Sequence, residues 1–89
     1  MTTATVTRRL QAEGLPVELV RGDGYHYFIF DDGDFYESES VYIPRFRSWP
    51  VDRWTQEGRD FAERCKVAAV EAAEANAERG TGPLKIGGR

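Results

Sequence analysis

The spacing of apolar and polar residues predicts a helix at each end of the chain. Val6 and Leu10 stand four residues apart within residues 3–13, which is the repeat of one helix face. Residues 51–79 carry a longer apolar stripe at helical spacing, and beyond Cys65 this stripe is nearly all alanine. A helix of this length measures about 43 Å at 1.5 Å per residue. Since a strand of the predicted sheet spans roughly 20 Å, we expect the second half of the helix to extend past the sheet.

Between the helices, runs of aromatic and β-branched residues alternate with turns rich in glycine and aspartate. These runs predict strands at residues 17–21, 25–30 and 35–43, with turns at 22–24 and 31–34. Glycine in each turn supplies the positive φ that tight hairpins require, so the strands form an antiparallel meander. The predicted fold is α+β: a short N-terminal helix, a three-stranded antiparallel β-meander and a long C-terminal helix packed on one sheet face.

The register of the first hairpin decides which side chains share a face of the sheet. A three-residue loop would pair Arg21 with Tyr25, and period-two alternation then sets the faces. One face would lie under the long helix and form the core with it, from Leu19, Tyr27, Ile29, Val41, Ile43, Trp54 and Phe61. The other face would carry His26, Phe28 and Phe30 without certain cover.

Ten of the eleven aromatic residues lie between Tyr25 and Trp54, which is more aromatic surface than one sheet face can hide. Arginines interleave with the end of this block, and arginine beside aromatic side chains is typical of protein–protein interfaces and of single-stranded nucleic-acid platforms. The sequence therefore predicts an interaction surface formed by Phe28, Phe30, Arg45, Phe46, Arg47 and Trp49. In the alternative interpretation, Trp49 and Trp54 belong to the core and the arginines pair with nearby acids.

The second predicted turn begins an acidic cluster of five carboxylates within nine residues: Asp31, Asp32, Asp34, Glu37 and Glu39. Carboxylate clusters can bind Ca²⁺ or Mg²⁺. Gly33, however, comes too early for a calcium-binding loop, and no twelve-residue loop follows. We expect a solvated hairpin tip, with an acidic recognition patch as the alternative.

One histidine and one cysteine leave little chemistry for catalysis or metal binding. A general base needs an orienting partner, and His26 and Cys65 form no nucleophile–base arrangement or metal-ligand spacing in the sequence. We predict no catalytic residues, no metal site, no cofactor and no enzyme activity. We expect His26 to be either satisfied internally or at the surface, and Cys65 to be a small buried hydrophobe.

The charge and the length of the chain limit the classes of protein to which it can belong. The chain has 89 residues and a formal net charge of −3, which argues mildly against a non-specific nucleic-acid binder. No apolar window is long enough to span a membrane, and residues 1–10 lack the apolar stretch of a secretory signal. A single unpaired cysteine fits a reducing compartment, so we expect a cytoplasmic location. We also expect one domain over residues 1–79 and a flexible glycine- and proline-rich tail over residues 80–89.

Three segments carry a family resemblance: Glu18-Leu-Val-Arg-Gly-Asp-Gly-Tyr-His-Tyr-Phe-Ile-Phe30, Ser40-Val-Tyr-Ile-Pro44 and Trp54. They resemble small proteins of bacteriophages and other bacterial mobile elements with a "VxGxGYxYF…(T/S)VYV…W" pattern, a family without an established activity. The resemblance covers the centre of the chain. It implies the cytoplasm of a bacterial host, a β-hairpin-plus-helix core and no catalytic residues.

The leading functional prediction is a non-enzymatic protein–protein interaction module that binds a host or phage protein, or a second copy of itself as a dimer. The first alternative is an inhibitor of host defence, similar to anti-CRISPR proteins, whose acidic hairpin mimics nucleic acid. The second is a single-stranded nucleic-acid-binding accessory protein that uses residues 25–30. This segment resembles the RNP1 strand of RRM domains at Arg21, Gly22, Gly24 and Phe28, but Asp23 stands where that strand has a stacking aromatic residue.

Overall fold

The structure, a computed structural model, describes the backbone of residues 2–80 and the side chains of residues 2–75. Its elements are helix α1 (Thr3–Ala12), strands β1 (Val17–Arg21), β2 (His26–Asp31) and β3 (Tyr36–Val41), a 3-10 turn (Phe46–Ser48) and helix α2 (Val51–Gly80). The strands form one antiparallel sheet in the order β1-β2-β3. The predicted α+β architecture is therefore confirmed. A flexible tail was predicted for residues 80–89, and the part of it after Gly80 lies outside the described residues.

The loop of the first hairpin is one residue longer than predicted. Arg21 pairs with His26 rather than with Tyr25, and Gly22 N–H donates to Tyr25 O at 2.8 Å to close the turn. Gly24 adopts a φ of 81° in this turn, a conformation that favours glycine. Because side chains alternate between faces along a strand, a shift of one residue exchanges the two faces of β2.

The exchange of faces overturns part of the predicted interaction surface. Phe28 and Phe30 lie on the face that the helices cover, and only 1% and 2% of their surface is exposed. They are core residues and are not available to a partner. The assignment of Tyr27 and Ile29 to the core face was also wrong, because both alternate with the buried residues of β2 and remain half-buried.

Both helices pack on the same side of the sheet. Helix α2 contacts β1 and β2, and α1 contacts β1 and α2. Thr7 Oγ1 of α1 accepts a hydrogen bond from Leu19 N–H at 2.9 Å, which joins α1 to the free edge of β1. The buried apolar side chains are Val6, Leu10, Val17, Leu19, Phe28, Phe30, Trp54, Phe61, Ala62 and Cys65. Of the predicted core, Leu19, Trp54 and Phe61 are confirmed, and Val41 and Ile43 pack at its margin.

Helices α1 and α2 approach closely at Gly58, which is buried. A Cβ atom on Gly58 would stand 2.5 Å from Cδ1 of Leu10 and 3.1 Å from Cε1 of Phe28. Glycine is therefore required here because the space that a side chain would take is already filled. This contact fixes how near the two helices lie.

Two exposed ion pairs border this contact between the helices. Arg9 Nη1 donates to Asp52 Oδ1 at 2.9 Å. Arg59 donates from Nε and Nη2 to the two carboxylate oxygens of Glu13 at 2.8 and 2.7 Å. These hydrogen bonds lower the pKa of Glu13. Exposed pairs contribute little to stability, so the contact between the helices depends on the packing beneath the pairs.

The second half of α2 extends beyond the core, as its length predicts. Cys65 is the last buried side chain of the helix up to residue 75, and Val67 and Val70 are 51% and 57% exposed. The molecule accordingly measures 54 Å in its longest dimension and 26 Å in the next. Residues 69–73 of this half share a groove with Asp32, Asp34 and Phe35 of the second hairpin.

We expect the Cys65 thiol to react slowly in the folded protein. Cys65 is 3% exposed, as predicted for a small buried hydrophobe, and burial, with a contribution from the Glu37 charge, raises the pKa of its thiol. A higher pKa lowers the fraction of reactive thiolate at neutral pH. Alkylation by iodoacetamide should be roughly a hundredfold slower in buffer than in denaturing urea, since reaction requires local opening. Mass spectrometry of a time course measures both rates, with a short cysteine peptide as control for the effect of urea, and equal rates would contradict the prediction.

Candidate anion-binding pocket

A cavity of about 480 Å³ lies at the end of the sheet where β1 ends and β2 begins. Its lining comes from the start of α1, the two strands and the 3-10 turn, and consists of Thr2, Thr3, Arg21, His26, Arg45, Phe46 and Arg47. We call this cavity the arginine pocket. Three arginines and no acidic residue line it, so its electrostatic potential favours an anion.

The three arginines of the pocket have no acidic partner within residues 2–75. The ion pairs of that part of the chain are Arg9–Asp52, Arg59–Glu13 and Arg64–Glu39. The alternative interpretation is confirmed for Trp54, which is fully buried, and Trp49 packs against the core. Its other part, the pairing of Arg45 and Arg47 with nearby acids, is not found within these residues. Their N–H groups remain available to a ligand, as do those of Arg21.

Trp54 fixes the segment that presents two of these arginines. The ring of Phe46 stacks on the ring of Trp54 with centroids 5.6 Å apart and an interplanar angle of 10°. Trp54 Nε1 also donates to Phe46 O at 2.8 Å. Because Trp54 holds both the ring and the carbonyl of Phe46, the flanking Arg45 and Arg47 are placed at the pocket by a rigid turn. The exposed stems of both arginines leave their guanidinium groups free to adjust to a ligand.

His26 lines the pocket from inside the core and has one satisfied and one unsatisfied ring nitrogen. Its side chain is fully buried. Nδ1 lies 2.7 Å from Ile43 O, and because a carbonyl oxygen only accepts, Nδ1 carries the hydrogen and donates. Nε2 is then an acceptor in the neutral ring, and it has no partner within the described residues. A buried polar atom without a partner costs about 1–3 kcal/mol, so such an atom marks a place where water or a ligand binds.

The first turn of α1 borders the pocket through Thr2 and Thr3. Thr2 N–H donates to Thr5 Oγ1 at 3.2 Å, and Thr5 N–H donates to Thr2 O at 3.0 Å, which shapes the start of the helix. The first N–H groups of a helix have no acceptor within the helix and carry partial positive charge. The helix end therefore adds to the positive potential of the arginine pocket.

The structure thus brings together half of the predicted interaction surface. Arg45, Phe46 and Arg47 line one cavity, whereas Trp49 lies beside it, half-buried, with its ring 4.7 Å from that of Trp54. The guanidinium carbon of Arg53 lies 4.1 Å above the Trp49 ring. Prediction from the sequence missed Arg21 and His26 as members of this site. Their pairing across β1 and β2 would have shown it, but only with the correct register.

The acidic hairpin tip lies at the other end of β2 from the arginine pocket. Asp31 Oδ1 accepts from Gly33 N–H at 3.0 Å, and Asp32 Oδ1 accepts from the N–H groups of Asp34 and Phe35 at 2.9 and 2.8 Å. Asp31 and Asp32 therefore shape the turn, as Asx side chains commonly do. The role of this tip as a recognition patch stays a prediction.

The rest of the acidic cluster lies along β3. Glu39 accepts a hydrogen bond from Arg64 of α2 at 2.7 Å, and Glu37 is exposed. Over residues 2–75, no three His, Cys, Asp or Glu side chains are grouped in a way that could hold a metal ion.

The sheet face opposite the helices carries a group of tyrosines. The rings of Tyr25 and Tyr27 are 5.8 Å apart, and those of Tyr25 and Tyr42 are 6.4 Å apart. Tyr36 and Tyr42 are 63% and 82% exposed. The surplus aromatic surface that the sequence predicts is therefore real, but tyrosines form it rather than Phe28 and Phe30.

Comparison with known proteins gives no relative from which a role for these residues could be taken. Within residues 2–80, no helix is long and apolar enough to cross a membrane. The resemblance to bacteriophage and mobile-element proteins stays a prediction, and function has to be argued from the arginine pocket. No protein-family model, no curated protein and no solved structure matches this chain.

Proposed function

We propose that this protein is a non-enzymatic binding module that docks an acidic segment of a partner protein in its arginine pocket. One observation carries the proposal. Arg21, Arg45 and Arg47 surround a single cavity without a carboxylate in its lining or an ion-pair partner within the described side chains. In a chain of net charge −3, this concentration of positive charge is local, and it is held in place by the core.

The composition of the pocket fits recognition of a protein partner. A guanidinium group binds a carboxylate through two parallel hydrogen bonds, which gives direction as well as affinity. The half-buried ring of Phe46 supplies an apolar wall beside Arg45 and Arg47. Arginine and aromatic side chains dominate the binding energy of many protein interfaces.

The placement of the two residues that could support catalysis favours binding over enzyme activity. His26 packs against Trp54, with ring centroids 5.0 Å apart, and donates from Nδ1 to Ile43 O. Cys65 borders a different groove, with Glu37 and Phe61. A nucleophile requires an adjacent base, and these two side chains line separate cavities.

A second copy of this chain is one source of an acidic segment. The hairpin tip presents Asp31, Asp32 and Asp34 as exposed side chains, and it lies at the far end of β2 from the arginine pocket. A single contact of this kind between two copies is head-to-tail and leads to a chain or a ring, whereas two reciprocal contacts would close a symmetric dimer. Light scattering over a range of protein concentrations separates this source from a different partner protein.

The proposed function predicts selective binding of an acidic peptide. A fluorescent peptide rich in aspartate should bind, and its asparagine counterpart should not, in an anisotropy titration at physiological salt. The R45Q and R47Q substitutions should each weaken binding by about tenfold, since a hydrogen bond to a charged group is worth about 1.5 kcal/mol or more.

Lys66→Gln is the matched control, because it removes one exposed positive charge on α2 at a groove far along the helix from the pocket. Its affinity should equal that of the unsubstituted protein. The pocket is not the docking site if the two peptides bind equally well. The same conclusion follows if K66Q and R45Q lose equal affinity for the aspartate-rich peptide.

A further inference from the structure

We infer that the arginine pocket is a phosphate site and that the acidic group it takes from a partner protein is a phosphorylated side chain. This inference rests on the proposed function and names the chemistry of its ligand. It is carried by two independent observations on one cavity: the three arginines without ion pairs, and the buried Nε2 of His26 without a partner.

The donors of the pocket approach from three elements of the fold. Arg21 ends β1, Arg45 precedes the 3-10 turn and Arg47 lies within it. The N–H group of Thr3 opens helix α1. A planar carboxylate presents two oxygens, whereas a phosphoryl group presents three and carries a charge of about −1.5 to −2 at pH 7. Donors that converge from several directions suit a tetrahedral anion, and helix N-termini commonly bind phosphate.

His26 supports binding of a tetrahedral anion at this cavity. Its Nδ1 donates to Ile43 O, and its buried Nε2 has no partner within the described residues. One proton shared between Nε2 and an oxygen of the anion would satisfy both atoms. The arginines and the charge of the phosphoryl group, rather than His26, favour a phosphorylated side chain over a carboxylate.

The size of the cavity leaves room for the side chain that bears the phosphate. A volume of about 480 Å³ is within the range of small-molecule sites and exceeds what one inorganic ion fills. Phe46 lines the pocket as its one aromatic wall and can pack against the aliphatic or aromatic part of a phosphorylated residue. Phosphopeptide recognition by clustered arginines is a recurring mode of protein binding.

The rest of the surface favours a phosphorylated protein over a nucleic acid. A single strand needs a positively charged groove that follows several consecutive phosphates. Of the five described arginines outside the pocket, Arg9, Arg59 and Arg64 are in ion pairs, whereas Arg8 and Arg53 are not. The net charge of −3 also disfavours a nucleic acid, so we assign the phosphate contact to a phosphorylated protein.

Nuclear magnetic resonance titrations of the full chain test the inference with inorganic phosphate, sulfate, and a neutral peptide with and without one phosphoserine. Phosphate should move the Nε2 nitrogen signal of His26 and the amide signals of Thr2 and Thr3. Sulfate, a tetrahedral anion of similar shape, should move the same signals, because the arginines can donate to either anion. The phosphorylated peptide should bind more tightly than inorganic phosphate, and the unphosphorylated peptide should not bind.

Variants separate the pocket from a general charge effect. Because Arg21 is exposed, the Arg21→Gln variant should fold normally. This substitution should weaken phosphate binding by about tenfold, whereas K66Q should leave phosphate binding unchanged. His26→Gln removes the ring nitrogens and should weaken the binding of both anions. If H26Q does not fold, the nitrogen signal of His26 in the unsubstituted protein decides the same point, because a phosphate that leaves this signal unmoved is not bound by Nε2.

The outcomes distinguish this inference from the proposed function. Binding of an aspartate-rich peptide without binding of phosphate or of the phosphorylated peptide would overturn the phosphate site and leave the docking function standing. If none of the peptides binds, the docking function is overturned, even if inorganic phosphate binds. A single-stranded oligonucleotide that binds more tightly than the phosphorylated peptide would overturn the assignment of the partner as a protein.

Discussion

Replacing Trp54 with alanine is expected to lower the free energy of unfolding by about 3–5 kcal/mol. The side chain is fully buried, and it connects the core to the turn that carries the pocket arginines through the stacked ring and the carbonyl of Phe46. Its removal leaves a large cavity and takes away the shorter of the two hydrogen bonds that Phe46 O accepts, the other coming from Trp49 N–H at 3.4 Å. Because a small domain has a stability of only about 5 kcal/mol or slightly more, W54A should be largely or wholly unfolded at 37 °C.

Two substitutions serve as controls for W54A in urea unfolding followed by circular dichroism. Trp54→Phe keeps most of the ring and loses the hydrogen bond to Phe46 O, so it should cost clearly less than W54A. Trp49→Ala removes a ring of the same size from a half-buried position, and it should also cost less because less of its surface leaves water on folding. A loss in W49A as large as that in W54A would show that the burial of Trp54 is not the source of the effect.

Replacing Gly58 with valine is expected to cost about 3 kcal/mol of folding free energy, at the upper end of the range for overpacked cores. Even a Cβ atom at this position would stand 2.5 Å from Leu10 Cδ1. Leu10 is itself fully buried, so either its side chain changes rotamer within the core or the helices move apart. Both responses disturb the packing of Phe28, whose Cε1 would stand 3.1 Å from the Cβ atom.

A double-mutant cycle with Leu10→Ala identifies the contact responsible. L10A opens the space that the new side chain needs, so G58V should cost at least about 1 kcal/mol less in that background than alone. Lys66→Val is the matched control for the effect of a β-branched residue in α2, and its exposed position predicts a change of about 0.5 kcal/mol. Additive effects of G58V and L10A would contradict the close approach at Gly58.

The sequence predicts the elements of this fold well because their signals are local. The bounds of α1, β1 and α2 agree with prediction to within one residue, since helical spacing and turn glycines mark them directly. The register of β2 was missed because residues 25–30 are aromatic or apolar at nearly every position. A strand with two apolar faces gives no alternation by which to choose between a three-residue and a four-residue loop.

The candidate site was half predicted for a related reason. Arg45, Phe46 and Arg47 stand together in the chain, so composition alone indicates them. Arg21 and His26 join them only through strand pairing, and the first turn of α1 joins them only because that helix packs on the same sheet face as α2. The apolar face of α1 consists of Val6 and Leu10, which is too little to specify a docking side in advance.

The arrangement of charge along β2 has a consequence for how a partner approaches. Six residues of strand, or roughly 20 Å, separate the arginine pocket from the acidic hairpin tip. At physiological ionic strength the Debye length is about 8 Å, so an incoming acidic group near the pocket does not sense the tip. At about 0.01 M salt the Debye length grows to about 30 Å, and the field of the tip then opposes that of the pocket. The attraction of an acidic partner to a uniformly basic surface increases steadily as salt is diluted, whereas the attraction to this protein does not. The protein acts as an electrical dipole that orients its partner.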